Sequence, residues 1–251
     1  MVWFRMTLLL CLSSVGCDKP RPGARDQNTA AHGARGQPGT EPVRPRAGEP
    51  EVEVHEITDA SLCVTKGKLE RSRVVAPTFR AVAPAEGGDA VQLKLIAHPS
   101  AEQRALASGQ IRRQVGLKLR AADACNLVYV MWRLDPTPML EVSTKINPGQ
   151  RKTSECGTAG YTKVKPRTTA ALPDLLDAKP HTLRAEIVGG ALVAWVDDQV
   201  AWQGALPDAA RELAGPSGLR SDNLEVEILG LATDAKPSNA VVVRCVDQHS
   251  D

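Results

Sequence analysis

Apolar and polar residues alternate along much of this chain, most sharply between His181 and Ala232. Leu183, Ala185 and Ile187 interleave with Thr182, Arg184 and Glu186, the period-2 pattern of a strand with one buried face. Gly189-Gly190 interrupts it as a turn requiring positive φ would. Leu192, Ala194 and Val196 resume the alternation, Asp197-Asp198 predicts a second turn, and Val200 to Trp202 runs back. A Pro-, Ala- and Gly-rich loop follows. Then Leu224, Val226 and Ile228 mark one face of a further strand. This is an antiparallel meander whose apolar faces need a second sheet to cover them.

The same period continues upstream. Leu62–Leu69 and Arg73–Val82 read as short strands, and Val91, Leu93 and Leu95 alternate with Gln92, Lys94 and Ile96. Ala101–Gly109 fits either a single helical turn or a polar loop. Val115, Leu117 and Leu119 form another apolar face. Leu127–Leu134 is nearly continuous apolar, as a central strand covered on both faces would be. Leu140, Val142, Thr144 and Ile146 lie on one face of the next strand, Asn147-Pro148-Gly149 is a turn, and Gln150–Gly160 is a loop. Tyr161–Val164 and Val241–Val246 complete the set. Many short strands with turns between them predict an all-β sandwich of two antiparallel sheets over residues 52–249.

The run from His181 through Val196-Asp197-Asp198 to Gly215-Pro216-Ser217-Gly218-Leu219-Arg220-Ser221-Asp222-Asn223 and the strand after it resembles the C-terminal half of concanavalin A-like jelly-roll domains. It is most similar to bacterial laminin-G-like and 3-keto-disaccharide hydrolase-type members, over about a quarter of the chain. The resemblance implies a jelly-roll sandwich. It also implies a function among lectins, glycosidases and adhesion modules, since one fold hosts many functions.

Residues 1–17 read as an export signal. Arg5 supplies the positive start, Met6–Leu12 a short apolar run, and Ser14-Val15-Gly16-Cys17 a small-residue end similar to a bacterial lipobox. The run is too short to span a membrane. Cys17 is therefore the expected lipidation site and new N-terminus. Residues 18–51 read as a disordered tether. Between Asp18 and Pro50 there are six Pro, five Gly, six Lys or Arg and four Asp or Glu. Such a segment cannot offset its ordering entropy by burial. The expected location is outside the cytoplasm, anchored by lipid to the bacterial envelope.

A net charge of +2 and 3% aromatic residues point away from nucleic acid. Four cysteines lie outside the leader, an even number in a compartment where disulfides persist. They allow three connectivities. Cys156 sits in a loop that returns beside the strand following Cys125, which favours Cys125–Cys156. In jelly rolls of the type resembled, the first and last strands lie side by side, which implies Cys63–Cys245.

Candidate chemistry is sparse. Glu225 and Glu227 share one strand face, whereas a glycosidase needs carboxyls on opposite sides of the scissile bond. Ser217 lacks the nucleophile-elbow spacing. His181 starts a strand and could be a base, but no partner is visible and it reads as a surface histidine. Asp197-Asp198 and Asp222-Asn223 could offer oxygens to calcium but read as turn residues. Tyr129 and Trp132 are assigned to packing. Trp195 and Trp202 are expected to share one sheet face, where they would either pack in the core or form a platform for sugar rings. No catalytic residue, metal site or cofactor is expected. The expected function is a non-catalytic, anchored binding domain for a glycan or an envelope protein, with a saccharide hydrolase as the alternative.

Overall fold

The computed structural model describes residues 55–57, 62–83 and 87–234. The leader with Cys17, the tether and the closing strand expected at Val241–Val246 lie outside these residues. Chain contacts divide the protein into Met1–Glu49 and Pro50–Asp251, and the described residues all belong to the second unit.

The elements run β1 (His55–Ile57), β2 (Cys63–Lys66), β3 (Leu69–Glu70), β4 (Arg73–Val74), β5 (Thr78–Val82), β6 (Ala90–Pro99), β7 (Gln114–Leu119), β8 (Leu127–Arg133), β9 (Met139–Lys145) and a helical turn α1 (Thr153–Cys156). They continue with β10 (Tyr161–Lys163), β11 (Thr168–Thr169), β12 (His181–Val188), β13 (Ala191–Val196), β14 (Gln199–Ala205), a second helical turn α2 (Asp208–Arg211), β15 (Gly218–Asp222) and β16 (Leu224–Thr233). A nine-stranded sheet has the order β11-β14-β13-β12-β6-β16-β4-β3, with β1 also on β16. A seven-stranded sheet has the order β10-β9-β8-β7-β15-β5-β2. All pairings are antiparallel, and β6, β7, β15 and β16 interleave the two sheets. This is the expected jelly-roll sandwich.

The alternating residues do what their period requires. Leu93, Leu95, Leu117, Leu119, Leu183, Leu192, Val226 and Phe79 are fully buried in one core between the sheets. All seven residues of β8 are buried, matching its continuous apolar run. Two-residue turns join β12 to β13 and β13 to β14. Asp197 and Asp198 both hold positive φ, 49° and 63°, the conformation that matches strand twist in a tight hairpin.

Two strand expectations are corrected. Leu62–Leu69 and Arg73–Val82 are not single strands but four short ones. The chain breaks at Gly67, which holds φ 81°, and a Cβ there would lie 2.3 Å from the Thr78 carbonyl oxygen. It turns again at Arg71-Ser72, both at positive φ. Segment 101–109 is a loop. The Cys125–Cys156 disulfide is present, with Cα atoms 6.0 Å apart. Cys63 is also disulfide-bonded, and its expected partner Cys245 lies outside the described residues.

Candidate functional site

The tryptophan pair is split between the two faces of the nine-stranded sheet. Trp195 stands opposite Val200, but Trp202 stands opposite Ala194, because the register shifts between Ala194 and Trp195. One extra residue in β14 reverses every side chain beyond it. Trp202 thus enters the core at 1% exposure. Gly204 makes room for it: a Cβ there would lie 2.6 Å from the indole ring. Trp195 stays half-buried on the outer face, with the Arg184 guanidinium 5.1 Å over its ring. The two indoles form no common platform.

The outer face of the seven-stranded sheet is organised differently. Its outward positions include Arg80, Gln114, Lys118, Tyr129, Arg133, Glu141, Lys145, Tyr161, Lys163, Arg220 and Asp222, brought together by the register of six strands, and beside them Val82, Leu127 and Met131 form a buried apolar cluster with Tyr129. Asp222 is sealed at 0% exposure. Arg80 Nη2 donates to it at 2.8 Å, Arg220 Nε at 2.8 Å and Gln114 Nε2 at 2.7 Å. Burial alone would raise the Asp222 carboxyl, but Arg220, Arg80 and the Gln114 amide outweigh it and hold it below the usual carboxylate range. Glu141 accepts from Arg133, from Lys163 Nζ at 2.7 Å, and faces Arg112 at 3.8 Å. Burial pushes Glu141 upward, and the Lys163 bond with the surrounding cations carries it below its ordinary value. Both carboxylates are ionised and ion-paired, so neither serves as a general acid.

Tyr161 is the accessible aromatic of this face, at 43% exposure. Its ring stacks on Tyr129 with centroids 6.0 Å apart and an interplanar angle of 18°. Lys145 Nζ lies 5.3 Å from the Tyr161 ring centre, and the Arg220 guanidinium lies 5.1 Å from that of Tyr129. Tyr129 is 5% exposed and its phenol is pushed upward, first by burial. Tyr129 packs with Val82, Leu127 and Met131, as expected, and its ring also stacks on Tyr161. The sequence pattern placed Tyr161 on a strand but could not show that this strand's face meets Tyr129, Arg220 and Glu141.

Other candidates fall elsewhere. Glu225 and Glu227 face outward on the nine-stranded sheet, with Glu225 bound to Arg73 at 2.7 Å. Glu227 lines an open cleft with Glu70, Arg71, Arg73 and Val75. Of the loop oxygens, Asp222 is held by arginines. The Asn223 side chain bonds the backbone of Arg104 and Arg112, and Asp197 bonds His181 and the Thr182 amide.

His181 is not a surface residue. It is 5% exposed, with Nδ1 2.8 Å from Asp197 and Nε2 3.1 Å from Asp177, and its ring meets Trp132 edge-on at 5.4 Å. Burial opposes its charge, but Asp197 and Asp177 prevail and raise its pKa above the ordinary imidazole value. A raised folded pKa gives a stabilisation that is complete below the unfolded value of about 6.5 and is lost as pH rises through the folded value. The urea midpoint of the wild-type protein should therefore fall as pH rises from slightly acid to alkaline. His181→Gln should remove that slope, and an unchanged slope in the variant would assign it to other groups.

Neither protein-family models nor curated protein sequences match the chain. Among solved structures, the chain is similar to the carbohydrate binding module CBM66 from Bacillus subtilis, at 11% identity and a TM-score of 0.46, over 67% of this chain and 91% of that one. It is also similar to a tetrameric galectin from the ball sponge Cinachyrella sp., at 12% identity and a TM-score of 0.42, over 62% of this chain and 99% of that one. A third is the metal-free carbohydrate recognition domain of Emp46p, at 16% identity and a TM-score of 0.44, over 71% of this chain and 90% of that one.

Proposed function

We propose that this protein is an exported envelope lipoprotein whose jelly-roll domain binds a glycan without chemically altering it. The observation that carries the binding reading is the exposed Tyr161 ring, braced by buried Tyr129 and flanked by cations on a sheet face. An aromatic ring held rigidly at a partly open surface offers stacking area at little conformational cost. The non-catalytic reading rests on Asp222 and Glu141. These two carboxylates of the same face are each consumed by arginines, whereas glycoside hydrolysis needs one protonated acid beside one free carboxylate.

The anchor rests on sequence. Ser14-Val15-Gly16-Cys17 ends a short apolar leader, and a Pro- and Gly-rich tether follows. Two or more acyl chains on Cys17 would hold the domain on a membrane, and the tether would let it stand off.

Two experiments address the two halves. Cells carrying Cys17→Ala should release the protein from membranes, and a variant that still pellets with them would disprove the anchor. The purified protein should be retarded by a polysaccharide in affinity electrophoresis. Tyr161→Ala should weaken that retardation about 3- to 10-fold, the worth of an aromatic stack, without loss of fold. Trp195→Ala, on the opposite sheet, should leave it unchanged. The reverse result would move the site to the nine-stranded sheet.

A further inference from the structure

The face that carries Tyr161 is built around two carboxylates, and cations outnumber each. Asp222 takes guanidinium groups from Arg80 and Arg220, and Glu141 takes Arg133, Lys163 and Arg112. One carboxylate balances one charge, so both clusters keep a positive remainder. They differ in access. Asp222 is sealed, whereas beside Glu141 the Lys163 side chain is 69% exposed and that of Arg112 is 23% exposed. Glu141 is also over-subscribed: Oε2 serves both Arg133 and Lys163, while Oε1 makes only a long contact with Arg112. Arg133 is 5% exposed, and its Nε–H meets no acceptor among the described residues.

Tyr161 and Lys163 stand two residues apart on β10 and point the same way, so they are roughly 7 Å apart. A sugar ring stacked on Tyr161 would therefore bring its substituents to Lys163. A neutral sugar offers only hydroxyls there. A carboxylate, sulfate or phosphate substituent offers a charge-assisted bond about twice as strong.

We infer that this face selects anionic glycans, with Lys163, Arg112 and the rest of the Glu141 cluster forming the subsite for the charged substituent beside the Tyr161 platform. The inference rests on the glycan-binding reading above and adds the class of glycan.

The test uses the full-length protein in mild detergent with four probes: alginate, dextran sulfate, neutral dextran and inorganic polyphosphate. At low salt, alginate or dextran sulfate should bind at least roughly tenfold more tightly than neutral dextran, with a margin that shrinks as salt rises. Which of the two binds tells carboxylate from sulfate. Lys163→Gln with Arg112→Gln should erase the margin, and the single Lys163→Gln, at an exposed position, should reduce it if the double variant folds poorly. Equal binding of neutral and anionic glycans would overturn this inference and leave the glycan reading standing. Failure to bind any polysaccharide would sink both. Polyphosphate bound as tightly as the glycans, and indifferent to Tyr161→Ala, would show plain ion exchange and overturn the anionic-glycan subsite.

Discussion

Asp222→Ala is expected to destabilise the fold by about 3–5 kcal/mol, the range for removing one partner from a buried ion pair. The carboxylate is fully enclosed and accepts from three donors. Arg80 and Arg220 stand directly opposite each other on β5 and β15, with side chains only 13% and 11% exposed. Without Asp222, two guanidinium groups would face each other with little water to screen them. The cost therefore lies in the stranded charges and not in the lost bonds alone. Urea unfolding measures it. Adding Arg220→Met to Asp222→Ala should recover part of the loss, a coupling that a double-mutant cycle reads directly. A single variant within about 0.5 kcal/mol of wild type would show that water reaches this cluster. The acid limb carries the same signature. Because the folded Asp222 pKa is depressed, its stabilisation is complete above about pH 4 and is lost as pH falls through the folded value. Asp222→Asn should flatten that limb.

Residue order alone determines part of this structure. Period alone places Leu183, Ala185 and Ile187 in the core, because a strand's two faces follow from residue parity. Gly189-Gly190 and Asp197-Asp198 were legible as turns, because positive φ selects few residue types. The Cys125–Cys156 bridge is legible in the sequence because one loop returns beside one strand. What parity cannot supply is register between distant strands. Arg80 and Asp222 are 142 residues apart and meet through the β5–β15 pairing, while the β15–β7 pairing adds Gln114. Tyr129 and Tyr161 meet through two further pairings, β8 on β9 and β9 on β10. His181 shares the parity of Leu183, Ala185 and Ile187, so the same alternation turns it inward; what parity alone does not show is that Asp177, in the preceding loop, and Asp197, in the turn after β13, meet the buried ring.

The β14 bulge sets the second large effect. Trp202→Ala should cost about 3–5 kcal/mol, the range for emptying a buried aromatic site. Trp195→Ala should cost no more than about 1 kcal/mol, chiefly the Arg184 contact at a partly exposed position. The asymmetry follows from the register. Had β14 paired without the extra residue, both indoles would share the outer face and the two substitutions would cost alike. Trp202 instead packs at 1% exposure beside Gly204, which leaves the space its ring fills. The Trp202→Ala cavity also lies near the sheet edge, where, among the described residues, only β11 continues beyond β14. Partial collapse there would bring the cost toward the lower end of the range. Paired urea melts of the two variants decide the matter. Equal costs would mean that the bulge is absent in solution and that both rings share the outer face. A sugar platform of Trp195 and Trp202, the alternative to core packing, would then be the rival to Tyr161.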